Sequence, residues 1–376
     1  MKSEMTPMNT TRGARPFLHG PERERVVEAL LSGNWGNGPV TQEFEQGLAA
    51  FLGVPDVVAV ASGTVALQLG LLAAGIGPDD EVIVPSLTFC ASVQAILACG
   101  AFPRFVEVNP NTLCVEGDDV LGALTPATRA VMPVLYGGRA VDLTGVQGAL
   151  DDRDITVIED AAHAFGSYRG AKRVGGTGAL TAFSFDPIKN LTAGEGGAVV
   201  PRGLEEGRAL RRMRDLGMAR SSVQKSPITE YAVETFGLRA RLSSINAAIG
   251  VVQLQNFSTV ESRRKNLWRS YKSALRSLEN LSVVDLDIEN TTPFHFVVRI
   301  PSGRDSVLKF LTDRGVAVGV PYPPNHLEPA FSAWHRELPV TEMLGQQIMS
   351  LPFHPHMGEE DVRHVSSLVD LALRSR

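Results

Sequence analysis

Acids, a hydroxyl and a lysine occur close together between residues 157 and 200 of this 376-residue chain. Glu159 and Asp160 end a short apolar run, Ser184 ends a second one, and Lys189 follows in a loop. If both runs are strands of one sheet, their ends deliver an acid and a lysine to one place, with a hydroxyl between them. These groups suit a cofactor that carries both a ring nitrogen and an aldehyde. Pyridoxal phosphate has both.

Lys189 and Asp160 are the candidates for the two polar ends of such a ring. The aldehyde needs a lysine amine for a Schiff base, and Lys189 lies between an apolar strand and the glycine-rich run 194–197, where a merely solvated lysine is less expected. The ring nitrogen needs a carboxylate, and an acid beside apolar residues is costly to bury unless a cation pairs with it. Strand alternation points Glu159 to the opposite face. Spacing alone does not decide which of the two acids faces the site.

The phosphate of the cofactor needs backbone donors at the start of a helix. Ser62, Gly63 and Thr64 stand between the apolar run 57–61 and a helix-like segment, and they supply hydroxyls, free N–H groups and the positive end of a helix dipole. Ordinary capping by Ser62 or Thr64 explains the same tripeptide equally well. Ser184 is a further candidate donor. The chain has no P-loop motif and no G-x-G-x-x-G after its first strand, which argues against P-loop and dinucleotide sites.

An aromatic residue and two histidines complete the candidate site. Phe89 follows the strand-like run 81–85 and is the candidate to stack on the ring, although phenylalanine at such a position is often core. We expect His163 to hydrogen-bond the 3′ oxygen of the ring or to lie near the substrate, with a buried core histidine as the alternative. His326 lies in a loop too rich in proline for a core strand, so it is a candidate substrate contact from a second domain.

Metal ligands and disulfides find little support in the sequence. His354 and His356 have a spacing that invites a metal hypothesis, but no cysteine, aspartate or further histidine nearby completes a set, so we expect no metal site. The chain has an odd number of cysteines, which give no disulfide framework: Cys90, Cys99 and Cys114.

Composition predicts an ordinary soluble protein. The chain is 44% hydrophobic and 20% charged, with a formal net charge of −5. That charge argues against a nucleic-acid partner, because binding to phosphate backbones needs a basic surface. Neither a signal peptide nor an apolar run long enough for a membrane helix is recognisable in the sequence. We therefore expect a cytoplasmic protein with no membrane partner.

Strand-like and helix-like segments alternate from residue 57 onward. Short apolar runs typical of strands buried on both faces occur at 57–61, 81–85, 102–108, 130–136, 156–160, 179–185 and 197–200. The helical segments between them predict an α/β fold with an open, mostly parallel sheet of about seven strands. Ligand sites of such sheets lie beyond the carboxyl ends of the strands, which is where the candidate residues fall.

The length predicts two domains, because single cores rarely exceed about 300 residues. We assign residues 1–250 to a large cofactor-binding domain, with an N-terminal arm at 1–25. Residues 251–376 form a smaller C-terminal α+β domain in this interpretation, reached through a long helix.

The candidate residues lie in segments that carry a family resemblance. Taken together, the chain resembles the DegT/StrS-type sugar aminotransferases, pyridoxal-phosphate enzymes of fold type I, in segments 37–54, 61–89, 157–167, 183–197, 237–250 and 320–355. The resemblance implies a homodimer with active sites at the subunit interface. It also implies transfer of an amino group onto a keto carbon of a nucleotide-linked sugar.

The resemblance also assigns roles to residues by position. Lys189 matches the Schiff-base lysine that shuttles the proton, Asp160 the partner of the pyridine nitrogen, and His163 the residue beside the 3′ oxygen. Thr64 and Ser184 match phosphate ligands, and Phe89 matches the stacking aromatic residue. The assignment favours Asp160 over its neighbour by analogy only.

The sequence departs from the family pattern at several positions. Arg239 stands where the family has an asparagine that reaches the neighbouring subunit's cofactor phosphate, while Arg241 keeps the usual arginine. Val134 and Pro321 each replace a usual histidine, which is compatible with an unusual substrate. We expect Arg241, Tyr322 and His326 to contact the substrate.

The predicted activity is a ping-pong amino transfer from an amino acid, with L-glutamate as the expected donor, to the keto group of a nucleotide-linked deoxysugar. One alternative is an aminotransferase that acts on a cyclitol or another small ketone of specialised metabolism. Another is a non-catalytic regulatory protein that binds pyridoxal phosphate. The lysine at 189 disfavours the related dehydratases, which carry histidine there.

Overall fold

The computed structural model of the chain describes residues 13–220 and 231–375. Residues 1–12 of the expected N-terminal arm lie outside the described residues. From Gly13 onward the arm contacts the rest of the chain. The Gly13 carbonyl accepts the Phe353 N–H at 3.0 Å, and Nε2 of Gln253 donates to the Phe17 carbonyl at 2.7 Å.

Strands occur along most of the described chain, and each of them is short. In chain order they are β1 (Val58–Val60), β2 (Glu81–Pro85), β3 (Phe102–Val106), β4 (Thr128–Val131), β5 (Thr156–Asp160), β6 (Tyr168–Arg169), β7 (Lys172–Arg173), β8 (Leu180–Ser184), β9 (Gly197–Val200), β10 (Met218–Arg220), β11 (Tyr231–Val233), β12 (Ser282–Val283), β13 (Phe296–Arg299) and β14 (Ile348–Leu351). Seven of them form the main sheet, in the order β1-β9-β8-β5-β4-β2-β3. β9 is antiparallel to β1 and β8, and the other neighbours are parallel. The predicted seven-stranded, mostly parallel sheet is confirmed.

Helices connect and cover the strands. They are α1 (Glu22–Leu31), α2 (Pro39–Leu52), α3 (Gly63–Ala73), α4 (Cys90–Ala98), α5 (Gly117–Ala123), α6 (Gln147–Asp151), α7 (Leu204–Arg214), α8 (Ser244–Gln255), α9 (Phe257–Leu275), α10 (Arg304–Thr312), α11 (Pro339–Gln347) and α12 (Glu359–Arg374). None of the described helices is long and apolar enough to cross a membrane.

Apolar side chains cover both faces of the main sheet. Ile158 and Leu180 belong to the cluster on the face covered by α3 and α4. Phe183 and Phe185 belong to the cluster on the other face, with Phe44 of α2. Because both faces are buried, the strands are mostly apolar and show no regular alternation of apolar and polar residues.

The fourth strand is shorter than the sequence predicts. The run 130–136 is apolar, but β4 ends at Val131. Pro133 has no N–H to donate to a neighbouring strand, so regular pairing does not continue. Val134 instead forms a single bridge to Asp160. The chain therefore leaves the sheet directly beside Asp160.

The C-terminal part of the chain forms the expected smaller α+β domain. Strands β12, β13 and β14 make an antiparallel sheet. Its core is separate from that of the main sheet and includes Trp268 and Tyr271 of α9, Phe296 of β13 and Val365 of α12. A mixed sheet-and-helix unit beside the main sheet agrees with the predicted fold class.

The expected end of the large domain falls in the helical region that follows the main sheet. Residue 250, the end of the expected large domain, lies inside α8, which packs against α1 and α2. The next helix, α9, packs against α12 of the C-terminal domain. We propose that the two domains divide at Asn256, between α8 and α9.

A buried ion pair fixes the first strand. Arg214 of α7 donates to Glu45 of α2 at 2.6 Å, and both side chains are buried. Glu45 also accepts the Ala59 N–H at 2.9 Å, and Arg214 donates to the Ala59 carbonyl at 2.7 Å. Because Ala59 is in β1, the pair anchors the strand that leads into Ser62.

Replacing Arg214 by methionine should lower the free energy of unfolding by about 3 kcal/mol, because Glu45 then keeps a buried charge without its main partner. This is the lower end of the range for a broken buried pair, since Arg211 still contacts Glu45 at 3.5 Å. Urea unfolding of the apoprotein, followed by circular dichroism, measures the change. Arg208→Met on the same helix is the control, since its pair with Glu205 is exposed and should be worth less than about 1 kcal/mol. Equal losses in the two variants would contradict the prediction.

Candidate active site

A cavity of about 260 Å³ opens at the carboxyl ends of β1, β5 and β8. Ligand sites of open parallel sheets lie at this edge. The predicted site residues that line the cavity are Ser62, Gly63, Thr64, Phe89, Asp160, His163, Ser184, Lys189 and Tyr322. Residues far apart in the sequence thus meet in one place.

A larger cleft, of about 720 Å³, lies on the other face of β5. Glu159 and Arg169 line it, but no lysine and none of the cavity-lining candidates do. The chemistry of the lining groups is a better guide than volume, so the smaller cavity is the candidate active site.

The two neighbouring acids of β5 point in opposite directions. Asp160 lines the cavity, where it accepts the Ser92 hydroxyl at 2.7 Å and the Ala162 N–H at 3.1 Å. Glu159 forms an ion pair with Arg169 at 3.0 Å on the opposite face. The alternative that spacing left open is therefore resolved in geometry, because only Asp160 reaches the cavity.

Asp160 is a buried carboxylate with room for a cation. Burial raises its pKa, and the hydrogen bonds from Ser92 and Ala162 and the nearby Lys189 oppose that change. A cation brought to such a group lowers the cost of keeping it ionised. A protonated ring nitrogen has the required charge and a single N–H donor, so the residue fits the group inferred from the sequence.

Lys189 is held in the loop after β8. Its N–H donates to the Asp186 carbonyl at 3.0 Å, and the Ile188 N–H donates to the Asp186 carboxylate at 3.1 Å. Its amine lies 4.6 Å from the centre of the Phe294 ring. Burial lowers the pKa of Lys189, while Asp160 and Asp186 raise it. A larger share of the amine is thus unprotonated, and nucleophilic, than in a solvated lysine.

The start of α3 is capped by a side chain and faces the cavity. Ser62 caps the helix by accepting the Val65 N–H at 3.3 Å. Gly63 lies so close to Ser184 that a Cβ on it would be 2.6 Å from the Ser184 Cβ. The cap, Thr64 and Ser184 all line the cavity. A capped helix start with two further hydroxyls is a suitable place for a phosphate.

His163 links the main sheet to the C-terminal domain. Its Nδ1 accepts the Gly137 N–H at 3.4 Å, and its Nε2 lies 3.1 Å from the Tyr322 hydroxyl. Burial places the pKa of His163 well below its usual value, so the ring is neutral. Because Nδ1 accepts, Nε2 carries the proton and donates to Tyr322. The Tyr322 hydroxyl is then free to donate its own proton to a ligand.

The aromatic residues around the cavity are only partly those expected. Phe89 is 53% exposed and lies 5.5 Å from the Tyr322 ring, so it stands at the mouth of the cavity and is not a core residue. Phe294, which the sequence did not single out, stacks on His163 with ring centres 4.2 Å apart. Phe294 comes from the C-terminal domain, and no local pattern marks such a contact.

Four further polar residues of the lining were missed. These are Thr88, Ser92, Asp186 and Glu195. Ser92 could have been found, because it follows Phe89 by three residues at the start of α4 and so lies on the same side of the helix. Asp186 and Glu195 flank Lys189 in loops without a periodic pattern.

Arg239 and Arg241 do not line the cavity of their own chain. Arg239 is exposed and forms a backbone bridge to Asp215. Arg241 forms an ion pair with the Asp215 carboxylate. Neither guanidinium contacts the cavity within one subunit.

His326 is also outside the cavity lining of its own chain, so the expected substrate contact stays a prediction. It is buried, and its Nδ1 lies 2.6 Å from the Ser86 hydroxyl while its Nε2 lies 3.3 Å from Glu342. The proline-rich loop is docked on the end of β2, and the contacts of His326 with Ser86 and Glu342 support the loop.

The structure offers no metal centre in residues 13–220 and 231–375, where no group of three or more suitable side chains is arranged around one point. His354 is buried, and His356 contacts the Pro16 carbonyl at 2.8 Å. All three cysteines are free thiols.

Comparison with known proteins identifies the class. The fold and the residues of the cavity place the chain among the pyridoxal-phosphate-dependent aminotransferases of fold type I. The model of the DegT/DnrJ/EryC1/StrS aminotransferase family matches residues 18–370. The chain belongs to this family.

Solved structures agree over nearly the whole chain. DesV of S. venezuelae, solved in complex with a ketimine intermediate, is 34% identical with a TM-score of 0.87, over 95% of this chain and 98% of that one. DesI, solved in the presence of its TDP-sugar product, is 31% identical with a TM-score of 0.88, over 99% and 94%. The sugar aminotransferase Spr1654 of Streptococcus pneumoniae, described as putative and solved in its PLP form, is 25% identical with a TM-score of 0.89, over 98% and 99%.

Gly63→Ala should weaken cofactor binding about tenfold or more. The added methyl group would overlap Ser184 and displace one or both sides of the helix start, and overpacking of this kind costs about 1–3 kcal/mol. Equilibrium dialysis of the apoprotein with pyridoxal phosphate measures the affinity. Gly77→Ala is the control, because a Cβ there meets no atom within 4 Å. An unchanged affinity in the Gly63 variant would show that the contact with Ser184 does not matter.

Proposed function

We propose that this chain binds pyridoxal phosphate in the cavity and transfers an amino group from L-glutamate to the keto group of a nucleotide-linked deoxysugar. The observation that carries the proposal is the meeting of Lys189 and Asp160 at one sheet edge beside a capped helix start. Family membership and the sugar-product complex of DesI support the acceptor class. We also propose a cytoplasmic location, as expected from the sequence.

Each part of the cofactor has a proposed partner. Asp160 would hold the ring nitrogen, Ser62, Gly63, Thr64 and Ser184 the phosphate, and Lys189 the aldehyde carbon. His163 would lie beside the 3′ oxygen, and Phe89 would cover the ring from the mouth. When bound, the cofactor supplies an aldehyde that takes up an amino group and a ring that accepts electrons from the adjacent carbon.

The protein's part of the reaction is proton transfer and orientation. Lys189 would take a proton at Nζ from the donor and return it to the acceptor, which requires an amine that is unprotonated for part of the cycle. Burial of Lys189 favours that state. Tyr322 would donate its hydroxyl proton to an acceptor oxygen, held in that orientation by His163.

The charges of the cavity point to a contribution from a second subunit. Within residues 13–220 and 231–375, the charged residues that line it are Asp160, Asp186, Glu195 and Lys189, so no arginine of that part of the same chain lines the cavity. Arg239 is exposed and lies outside its own cavity. We therefore place Arg239 against the phosphate of the other subunit in a homodimer, with Arg241 nearby as a substrate contact.

Mixing two inactive or weakened variants tests this arrangement. Arg239→Ala should lower cofactor affinity about tenfold or more, because a charged hydrogen bond to phosphate is lost. A hybrid dimer of the Arg239→Ala and Lys189→Ala chains should regain one site of wild-type affinity. In that site the Arg239→Ala chain supplies Lys189, and the Lys189→Ala chain supplies Arg239. Dialysis of the mixed protein measures that affinity. Failure of the hybrid to recover, with both chains dimeric, places Arg239 in its own site or in none.

Absorbance spectroscopy tests the activity itself. Purified protein loaded with pyridoxal phosphate should lose its visible band with L-glutamate and regain it with a keto sugar nucleotide. Borohydride treatment before the donor is added should attach the cofactor to Lys189, as found by peptide mass spectrometry. Lys189→Ala and Asp160→Asn are the matched variants: the first should give no attachment, and the second should bind cofactor but turn over at least a hundredfold more slowly.

One observation favours a different acceptor. Val134 lines the cavity at a position where the resemblance expects histidine, and the carbonyl of Pro321, the other such position, accepts the Tyr136 hydroxyl. A wall that departs from the family pattern at these positions favours an acceptor other than a nucleotide-linked deoxysugar, such as a cyclitol or another small ketone. Recovery of the visible band by such a ketone, and not by keto sugar nucleotides, would favour this candidate. A band that no donor changes would favour a regulatory protein instead.

A further inference from the structure

A buried arginine lies behind the lysine loop. In the described part of the chain three arginines are buried: Arg214, Arg264 and Arg304. Arg214 and Arg304 each pair with a carboxylate, whereas no carboxylate within the described ranges is in ion-pair distance of Arg264. A buried charge without a counter-charge is costly, and neither the fold nor the proposed reaction accounts for this one so far.

Backbone carbonyls of two separate segments receive the Arg264 guanidinium. It donates to Phe294 at 3.3 Å, and to Pro293 and Ile188 at 3.5 Å each. Ile188 directly precedes Lys189. Among the described residues, the Nε of Arg264 has no hydrogen-bond partner. All the partners of the guanidinium are neutral carbonyls, so none of them cancels its positive charge.

Arg264 and Lys189 share one aromatic ring. The Lys189 amine lies 4.6 Å and the Arg264 guanidinium carbon 6.0 Å from the centre of the Phe294 ring. The two charged groups therefore lie within about 11 Å of each other, a range over which a buried charge still acts.

The other groups around the Lys189 amine do not supply a positive charge. Asp160 and Asp186 favour its protonated form. His163 is neutral, and burial together with Lys189 and Arg264 lowers the pKa of His295 to about 3. Burial raises the pKa of Tyr322, so its hydroxyl is neutral as well. Burial lowers the pKa of Arg264 to about 9, which still leaves it charged at neutral pH.

We propose that Arg264 is a positioning residue for Lys189: its fixed positive charge, held at the Ile188 carbonyl, opposes Asp160 and Asp186 and keeps part of the Lys189 amine unprotonated at neutral pH. The inference rests on the proposed function, in which Lys189 carries the proton. In this inference, a charge on α9 of the C-terminal domain contributes to the reactivity of the Lys189 amine.

The Lys189 amine of the apoprotein provides a readout that needs no cofactor. Competitive acetylation across a pH series, with mass spectrometry of the Lys189 peptide, gives its pKa. Arg264→Met and Arg264→Gln remove the charge, and the glutamine amide can still donate to the carbonyls. Both should raise the pKa of Lys189 by about one unit. Arg264→Lys, which keeps a charge, should change it by less than about 0.3 units.

Lys265→Met is the matched control, since it removes a positive charge at the next residue of α9, where the amine pairs with Glu261 at 3.0 Å. It should leave the pKa of Lys189 unchanged. Near-ultraviolet circular dichroism checks that each variant is folded. An unchanged Lys189 pKa in a folded neutral variant overturns the inference. A rise of about one unit in Arg264→Lys also overturns it, because it would assign the effect to shape and not to charge.

The two proposals fail in different ways. If borohydride does not attach the cofactor to Lys189 in the wild-type protein, the proposed function fails, whatever the apoprotein titration gives. If attachment occurs and the pKa of Lys189 in the neutral Arg264 variants equals that of the wild type, only the role of Arg264 fails. With both proposals correct, Arg264→Met should still attach the cofactor, with a pH dependence moved upward by about one unit.

Discussion

A carboxylate buried at the end of a strand is the constraint on which the site depends. Burial raises the pKa of Asp160, and the hydrogen bonds from Ser92 and the Ala162 N–H together with the charge of Lys189 oppose that change. The two hydrogen-bond donors carry no full charge, so a cation brought beside Asp160 would lower the cost of keeping it ionised. Lys189 and the capped start of α3 line the same cavity and define its other polar groups.

Much of the fold and part of the site could be predicted from the sequence, because both depend on local patterns. Apolar runs between helical segments predict a doubly covered parallel sheet, and strand ends predict where polar groups meet. Strand alternation separated Glu159 from Asp160, but only the packed sheet shows that the cavity lies on the side of Asp160. Local reasoning also overlooked the effect of Pro133, which ends β4 early and turns Val134 toward the cavity.

Contacts between distant segments could not be predicted in this way. His326 was interpreted from its proline-rich surroundings, which do not reveal that Ser86 and Glu342 enclose its ring. Phe294 lies just before β13 and Arg264 lies in α9, and neither belongs to a recognisable sequence motif. Both nevertheless lie behind Lys189. Such roles arise from the docking of one domain on the other. The spacing of residues within either domain does not predict these contacts.

The proline-rich loop of the C-terminal domain is fastened to the large domain beside the cavity. Asn325 donates its side-chain amide to the Ser86 and Thr88 carbonyls at 3.0 and 2.6 Å, and the Tyr136 hydroxyl holds the Pro321 carbonyl. These hydrogen bonds join the loop to the large domain at the cavity wall, whereas the Phe89 side chain is exposed at the rim. A substitution at Phe89 would therefore change the opening of the cavity without removing any of these hydrogen bonds.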